Sequence, residues 1–435
     1  MTSYRKCETA EADVGMLYYL SSSDGTGGRL KTDPEDFIVD EVSVRPEAKE
    51  GGKFVIADVT SRNWETNRLV RLLSRELGIS REKIGFAGTK DKRGVTTQLM
   101  SFECPMENMS RIDLKDVEVK DAYVGRRGIQ IGDLIGNSFG IRVRDCSAPA
   151  ENTKDILDSV HADIQEAGGF PNYFGVQRFG VIRPVTHKVG ELLVRGKTEE
   201  AVRCYLSAPS EFENEEVTAI RNELAACDDW NGIAEKMPNS LSFEKTLVYH
   251  LAESPGDWTG AIGSMPKNLQ MMFVHAYQSL LFNRMLSERI RRGIPLNLPV
   301  IGDVVIPLDR DGIPSHESPV TANMNNLDLV ARQVRSKRAY VTASLFGSDG
   351  TSSEGEPGEI ERGVIEKEGV SEEDFMIPGL SHCSSKGSRR EIVCPVKDLS
   401  YATDDDGYTA SFTLPKGNYA TCLMREFMKS EMNRY

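Results

Sequence analysis

Residues 84–102 read IGFAGTKDKRGVTTQLMSF, and the fold is predicted outward from this stretch. Residues 84–88 and 95–102 are rich in apolar and β-branched side chains, which is typical of strands. The residues between them, TKDKRG (89–94), are polar and end in a glycine, which predicts a turn. The sequence therefore predicts a strand–loop–strand unit with Asp91 at its tip.

The segment before this unit predicts a helix. Residues 66–77, TNRLVRLLSREL, carry leucines at helical spacing, and Gly78 follows as a stop signal. Residues 37–42 have apolar side chains at both alternating sets of positions, which predicts a strand. Further strands are predicted at 129–134, 138–144 and 408–414, and further helices at 153–166, at 268–292 and from about 419.

Two features of the middle of the chain predict a second domain. Residues 268–292 form one long helix that is apolar on most sides, as in the core of a domain. Residues 347–358 are turn-forming and acidic, which predicts a flexible loop. The predicted fold class is α/β (α+β). Residues 1–168 and 390–435 would form a sheet domain, and residues 169–389 a helix-rich inserted domain.

The composition indicates a globular protein without a metal site. The chain has 435 residues, of which 39% are hydrophobic and 27% charged. No apolar run approaches the roughly 18 residues that a membrane span needs, and acidic residues stand where a signal peptide would be apolar. We expect a cytoplasmic protein with no membrane association. The eight cysteines form no CxxC pair, and no HExxH occurs.

The charge is distributed unevenly. A net charge of −13 argues against a nucleic-acid partner, because phosphates are bound by Lys and Arg. Residues 61–93 nevertheless contain nine basic residues against four acidic ones, whereas residues 349–374 contain ten acidic residues against two basic ones. The basic segment is either an RNA-binding face or a solvated helix face, and charge alone leaves both interpretations open.

Asp91 is surrounded by Lys90, Lys92 and Arg93. Nearby cations favour the ionised carboxylate and lower its pKa, which suits a nucleophile. The alternative is an ordinary hairpin aspartate that accepts backbone hydrogen bonds. The glycines of this loop do not form a phosphate-binding P-loop, because the Gly-Lys-Ser/Thr order is missing.

Five motifs in order resemble the TruD family of tRNA pseudouridine synthases. They are KTDPEDFIVDE (31–41), FAGTKDKRGVTTQ (86–98), GDLIGNSFGIRVR (132–144), PNYFGVQRFG (171–180) and SFTLPKGNYATCLMRE (411–426). The resemblance implies a pseudouridine synthase domain with a mixed or antiparallel sheet of permuted topology, and an inserted TRUD domain. The long insertion is similar to that of the archaeal-type tRNA pseudouridine(13) synthases.

The resemblance also implies an activity. The chain would be an isomerase (an intramolecular transferase) that converts uridine 13 of tRNA to pseudouridine without a cofactor, with Asp91 as the catalytic residue. One alternative is a synthase acting on other tRNA or RNA sites, and another is a tRNA-binding or tRNA-folding protein without catalysis. tRNA is the predicted partner, and no protein partner follows from the sequence.

The same resemblance assigns roles to further residues. The uridine would be contacted by Lys31, Glu35, Phe37, Asn137, Phe139 and Phe412. Core packing is the alternative role for the three phenylalanines, since each lies on a predicted strand. The RNA backbone would be contacted by Arg62, Arg68, Arg71, Lys90, Lys92, Arg93, Arg126, Arg127 and Arg178.

Overall fold

The computed structural model describes residues 4–90, 92–309 and 313–435. The strands are β1 (Arg5–Lys6), β2 (Tyr18–Tyr19), β3 (Gly27–Arg29), β4 (Phe37–Ser43), β5 (Phe54–Arg62), β6 (Ile84–Phe86), β7 (Val95–Phe102), β8 (Val117–Gly125), β9 (Leu134–Cys146), β10 (Phe170–Pro171), β11 (Val304–Pro307), β12 (Val320–Thr321), β13 (Ala339–Leu345), β14 (Ser388–Glu391), β15 (Val393–Cys394), β16 (Lys397–Asp404) and β17 (Gly407–Pro415). The helices are α1 (Thr66–Leu77), α2 (Ala150–Glu166), α3 (Thr186–Val194), α4 (Thr198–Ser207), α5 (Glu215–Ala225), α6 (Trp230–Ala234), α7 (Ser242–Glu253), α8 (Trp258–Gly263), α9 (Lys267–Arg291), α10 (Leu327–Arg335), α11 (Gly355–Glu368) and α12 (Ala420–Met428).

The chain forms two compact units. The sheet unit comprises Ser23–Phe170, Cys394–Ser430 and Arg434–Tyr435. The helical unit comprises the residues through Ser22, Pro171–Val393 and Glu431–Asn433. The short strands β10 and β15 lie where the chain passes from one unit to the other.

Residues 4–22 belong to the helical unit, whereas the predicted division grouped them with the sheet. Side chains of α9 explain their position: Asn283 Nδ2 donates to the Val14 carbonyl at 2.9 Å, and Ser287 Oγ donates to the Gly15 carbonyl at 2.7 Å. Buried backbone carbonyls need such partners, so these bonds fix the N-terminal segment against α9. The assignment of catalysis to the sheet unit stays a prediction.

The sheet unit is built on one mixed sheet. Its strand order is β16-β17-β9-β4-β7-β5-β8, with β3 beside β9 and β6 beside β7. Neighbouring strands are antiparallel except for the parallel pair β4 and β7. Strands from the beginning and the end of the chain thus share one sheet, and the predicted fold class is confirmed.

Helix α1 covers part of one face of this sheet. Its predicted span is confirmed, and Gly78 ends it in the left-handed conformation (φ 66°). Leu69, Leu73 and Leu77 are buried against alternating residues of β5 and β7, such as Val59. Burial of each leucine removes apolar surface from water and contributes about 1.5–3 kcal/mol.

One strand prediction was wrong. Residues 129–133 form a turn, and only Leu134 of the predicted 129–134 strand belongs to β9. Asp133 accepts a hydrogen bond from the Gln130 amide at 2.8 Å and pairs with Arg127 at 2.6 Å, while Gly132 has φ 113°. An aspartate that bonds its own backbone three residues back stabilises a turn rather than a strand.

The helical unit is organised around α9. The predicted helix 268–292 is confirmed to within one residue at each end, and buried residues lie on all of its sides. A four-stranded antiparallel sheet in the order β12-β11-β13-β14 belongs to the same unit. Within the ranges given above, no helix is long and apolar enough to cross a membrane.

The acidic segment of this unit is not only a loop. Helix α11 begins at Gly355, so the predicted loop 347–358 was wrong for its last four residues. Glu361 of α11 is buried and accepts hydrogen bonds from the Ser353 amide and from Arg389 at 2.8 Å. A charge that is buried with satisfied partners is part of the internal structure rather than of a solvated surface.

Candidate active site

Three predicted phenylalanines lie side by side on one face of the sheet. Phe412 of β17 stands opposite Phe139 of β9, which stands opposite Val39 of β4. The Phe139 and Phe412 rings are stacked with centroids 5.3 Å apart, and the Phe37 ring meets Phe139 edge-on at 6.3 Å. Phe139 is 9% exposed, against 3% for Phe37 and 2% for Phe412. Phe139 is therefore the most accessible ring of the row.

Lys31 extends this aromatic row. Its ammonium lies 4.2 Å from the centre of the Phe37 ring, and its backbone has φ 56° in the left-handed region. A cation over an aromatic face is favourable by about 0.5–2 kcal/mol. Lys31 and Phe37, which the sequence assigned to one site, are thus in contact.

Glu35 has a different partner. Its carboxylate pairs with the Arg62 guanidinium at 2.5 Å on the surface, and this hydrogen bond holds the pKa of Glu35 below its usual value. The two residues were predicted to contact the uridine and the RNA backbone respectively. Both side chains are exposed, and each is directed to the other.

Asn137 carries an oxygen without a partner. It lies two residues before Phe139, so its side chain is on the same face of β9. Its Oδ1 is buried and accepts no hydrogen bond from any residue that the structure describes. A buried acceptor left in this state costs about 1–3 kcal/mol, which a ligand with a donor group would recover.

The loop between β6 and β7 is held by hydrogen bonds on both sides of residue 91. Gln98 Nε2 donates to the Gly88 carbonyl at 2.7 Å, and the Lys90 amide donates to Thr66 Oγ1 at 2.9 Å. The Asn63 amide donates to the carbonyl of Gly94 at 2.9 Å. Asp91 itself lies outside the described residues.

A buried ion pair also anchors this loop. Lys90 Nζ lies 2.5 Å from Glu41 Oε2, with side-chain exposures of 6% and 1%. Glu41 stands opposite Asn137 in the register of β4 and β9, on the face that carries the phenylalanines. The Lys90 ammonium, which was predicted to contact RNA phosphates, therefore neutralises a carboxylate inside the protein.

The remaining predicted RNA contacts differ in exposure and pairing. Four of them are exposed and form no ion pair with any residue that the structure describes: Arg68, Arg71, Lys92 and Arg93. Arg126 and Arg127 pair with Glu47 and Asp133. Arg178 belongs to the helical unit, where its Nε donates to Ser279 Oγ at 3.3 Å. The unpaired set is concentrated on α1 and on the loop after residue 91.

The profile of one protein family matches almost the whole chain. The family is described as tRNA pseudouridine synthase D (TruD), and the match covers residues 13–427. The chain belongs to the TruD family. Its relatives include "Probable tRNA pseudouridine synthase D" of Methanococcoides burtonii, 40% identical over 97% of both chains, and a protein of the same name from Halobacterium salinarum, 41% identical over 98% of both.

A solved TruD structure has the same fold. The crystal structure of a TruD protein from Methanosarcina mazei superposes with a TM-score of 0.88 at 38% sequence identity, covering 98% of this chain and 100% of that one. Because the match covers nearly the whole chain, the similarity includes residues of both compact units. The resemblance to the TruD family drawn from the five motifs is confirmed.

Several residues that shape the candidate site were not predicted from the sequence. Glu41, Thr66 and Gln98 hold the loop, yet none of them was singled out. Glu41 could have been found, because Phe37, Val39 and Glu41 alternate on one face of a strand. Thr66 and Gln98 contact the loop only through the tertiary fold, so no local signal indicates them. Among the described residues no cluster of three or more His, Cys, Asp or Glu could hold a metal ion.

Proposed function

We propose that this chain converts uridine 13 of tRNA to pseudouridine and that Asp91 is the nucleophile. One observation carries the proposal. The loop that contains position 91 is fixed at Gly88, Lys90 and Gly94, beside a face with three phenylalanines and a partnerless amide oxygen. Catalysis needs a reactive group held rigidly against a bound substrate, and a loop anchored beside an aromatic face supports this role.

The reaction is an isomerisation of one nucleotide. The bond between uracil N1 and the sugar C1′ breaks, the uracil turns, and C5 bonds to C1′ while the C5 proton is lost and N1 gains one. No group leaves and no electrons are transferred, so the balance requires no cofactor. Asp91 would either attack C1′ or take a sugar proton to give a glycal, and both routes satisfy this balance.

The aromatic row would hold the target base. Phe139 has the most accessible ring and would stack on the uracil, with Phe37 and Phe412 fixing its orientation. Stacking of a base on an aromatic ring contributes about 1–3 kcal/mol. A phenyl ring has no basic atom, so removal of the C5 proton falls to Asp91 or to a water molecule.

Polar groups would select uracil and bind the RNA. The Asn137 oxygen would accept a hydrogen bond from the imide N–H of the base, which satisfies its missing partner. Exposed cations of α1 and of the loop would bind phosphates. These contacts offset the few kcal/mol that extrusion of a base from folded tRNA costs. The predicted cytoplasmic location agrees with such a substrate and stays a prediction.

Tritium release from tRNA labelled at uridine C5 tests this function. The unmodified protein should release tritium, and Asp91→Asn should lower the rate more than about a hundredfold, because the amide is a poor nucleophile. Asp113→Asn, at an exposed site of the same unit, is the matched control and should keep the full rate.

Three outcomes contradict parts of the proposal. Turnover that persists in Asp91→Asn excludes that residue as nucleophile. Release that maps to uridines other than position 13 favours a synthase of broader specificity. Binding of tRNA without any release by the unmodified chain favours a tRNA-binding protein without catalysis.

A further inference from the structure

The end of α10 in the helical unit carries a group of exposed cations. Arg332 and Arg335 lie one turn apart on the helix, and Lys337 and Arg338 follow in the turn that ends it. All four side chains are exposed. Two of them bond neutral groups: Arg332 Nε donates to the Asp328 carbonyl, and Arg338 Nε to Ser336 Oγ. We call these four residues the α10 cationic end.

The α10 cationic end differs from the buried arginines that stabilise the interior of its unit. Arg289 pairs with Asp303, Arg389 with Glu361, and Arg221 with Glu213, and all of these are largely buried. None of the four cations of α10 forms an ion pair with any residue in the described parts of the chain. The whole chain has a net charge of −13, whereas residues 332–338 contain four cations and no acidic residue, so the local charge is positive.

The helix dipole accounts for only two of these charges, Arg332 and Arg335 in the last turn. The partial negative charge at a helix C-terminus favours nearby cations by about 0.3–1 kcal/mol each, and only within the last turn. Lys337 and Arg338 lie beyond that turn. Packing does not require them either, because Val330 is the residue through which α10 is buried.

The conformation of Lys337 gives a second, independent observation. The Lys337 amide donates to the Val334 carbonyl and the Arg338 amide to the Gln333 carbonyl, both at 2.9 Å. This pair of bonds forms a Schellman motif, with Lys337 in the left-handed position (φ 56°). Glycine is preferred there because a Cβ is strained.

Other helices of this chain follow that preference. Helix α1 ends at Gly78 with φ 66°, and α11 ends at Gly369 with φ 60°. At Lys429, which ends α12 in the same conformation, the ammonium donates to the Glu426 carbonyl at 2.7 Å and so caps its own helix. The Lys337 ammonium makes no such capping contact with any residue that the structure describes.

We propose that the α10 cationic end binds the phosphate backbone of the RNA substrate. The inference rests on the proposed function for the identity of that RNA. Exposed, unneutralised guanidinium and ammonium groups are the groups that bind phosphates, and a polyanion complements four of them at once. The helical unit thereby contributes its own contact surface to RNA binding, besides the cations of α1 in the sheet unit.

Binding of a tRNA transcript, measured at several salt concentrations without turnover, tests this surface. The variant Arg332→Gln/Arg335→Gln/Lys337→Gln/Arg338→Gln should bind at least about tenfold more weakly at about 0.15 M salt. The slope of log K against log salt should fall by about two to four, because each lost phosphate contact lowers it by about 0.7–0.9. Since binding is read directly, failure of the proposed catalysis would leave this result interpretable.

Lys337→Gly separates binding from folding. Glycine suits the left-handed position, so the variant should melt at the same or a higher temperature. Binding should nevertheless weaken several-fold through the lost charge. A lower melting temperature with unchanged binding would assign Lys337 to the fold and contradict the proposal.

A charge-matched control completes the experiment. Lys236 and Arg291 are exposed cations of the same unit that pair with Glu223 and Glu288. Lys236→Gln/Arg291→Gln should change tRNA binding less than Arg335→Gln/Arg338→Gln, although both remove two charges. Equal losses in the two doubles, or tRNA binding by the fourfold variant that matches the unmodified protein, would overturn the proposal.

Discussion

Lys90 was predicted from the sequence to contact the RNA backbone, but in the structure its ammonium pairs with Glu41. Their charged groups are in contact, and both side chains are almost completely buried. Removing one partner of a buried ion pair leaves an uncompensated charge, which costs about 3–5 kcal/mol. The pair also joins β4, which carries Phe37, to the loop that carries position 91.

We therefore expect Lys90→Met to lower the free energy of unfolding by about 3–5 kcal/mol and to reduce turnover, since the loop loses its anchor. Lys90→Met/Glu41→Gln should regain most of the stability, because no unpaired charge remains. Urea unfolding of the single and double variants measures this. A stable, fully active Lys90→Met would show that the pair does not hold the loop.

The second prediction at the residue scale concerns His187 and the dependence of stability on pH. Burial, with smaller contributions from Lys188 and Arg284, lowers its pKa from 6.5 to about 4. Its Nδ1 finds no hydrogen-bond partner among the described residues, and its ring packs edge-on against Phe179 at 5.3 Å. The folded state therefore favours the neutral imidazole.

The sign follows from the depressed pKa. Above pH 6.5 the histidine is neutral in both states, and below that pH the unfolded chain takes up a proton first. Stability is therefore lost as the pH falls from 6.5 through 4, by up to roughly 3 kcal/mol. His187→Gln should show a smaller decrease in melting temperature over this range. If the melting temperatures of the unmodified protein and of His187→Gln decreased equally over this range, His187 would not be the group that causes the loss of stability.

At the scale of elements, α1 has two faces of different character. Its leucines pack on the sheet, and Arg68 and Arg71 are exposed on the other side. We expect Arg68→Gln/Arg71→Gln to weaken tRNA binding and to lower the salt slope by about one to two, with little change in unfolding. Glu76→Gln, on the same helix, is the control and should not weaken binding. If the salt dependence of tRNA binding were unchanged in the double variant, this face of α1 would be a solvated surface and not an RNA-binding one.

The elements also show what the sequence could and could not predict. Helices α1 and α9 were predicted within a residue, because leucine spacing and terminal glycine are local signals. Strand β8 was missed: it is the edge strand beside β5, and its first residues alternate valines with charged residues. Helix α11 was taken partly as a loop, since the ion pair that buries Glu361 depends on Arg389, distant in sequence.

The candidate site shows the same limit. The phenylalanines, Asn137 and Lys31 were predicted through motifs, because each lies within one short contiguous stretch of sequence. Their mutual contacts follow from the register of β4, β9 and β17, which no local pattern specifies. Thr66 and Gln98 hold the loop by hydrogen bonds across three elements, so only the folded sheet reveals them.

At the scale of the whole molecule, the path of the chain couples its beginning to its middle. Residues through Ser22 pack in the helical unit, although the next 148 residues belong to the sheet unit. Ser287 on α9 is the centre of this attachment. Its hydroxyl donates to the Gly15 carbonyl at 2.7 Å, accepts from the Leu17 amide at 3.0 Å, and lies 2.9 Å from the Tyr173 hydroxyl.

We expect Ser287→Ala to destabilise the helical unit by about 1–3 kcal/mol, because it leaves buried polar groups without partners. Removal of residues 4–22 should cost more, since Asn283 and the apolar surface under Val14 and Met16 would also be uncovered. Thermal unfolding with limited proteolysis reports both, and cleavage should appear first within Pro171–Val393. Ser336→Ala, at an exposed serine of the same unit, is the control. If the truncated chain melted at the same temperature as the untruncated one, the N-terminal segment would not stabilise the core around α9.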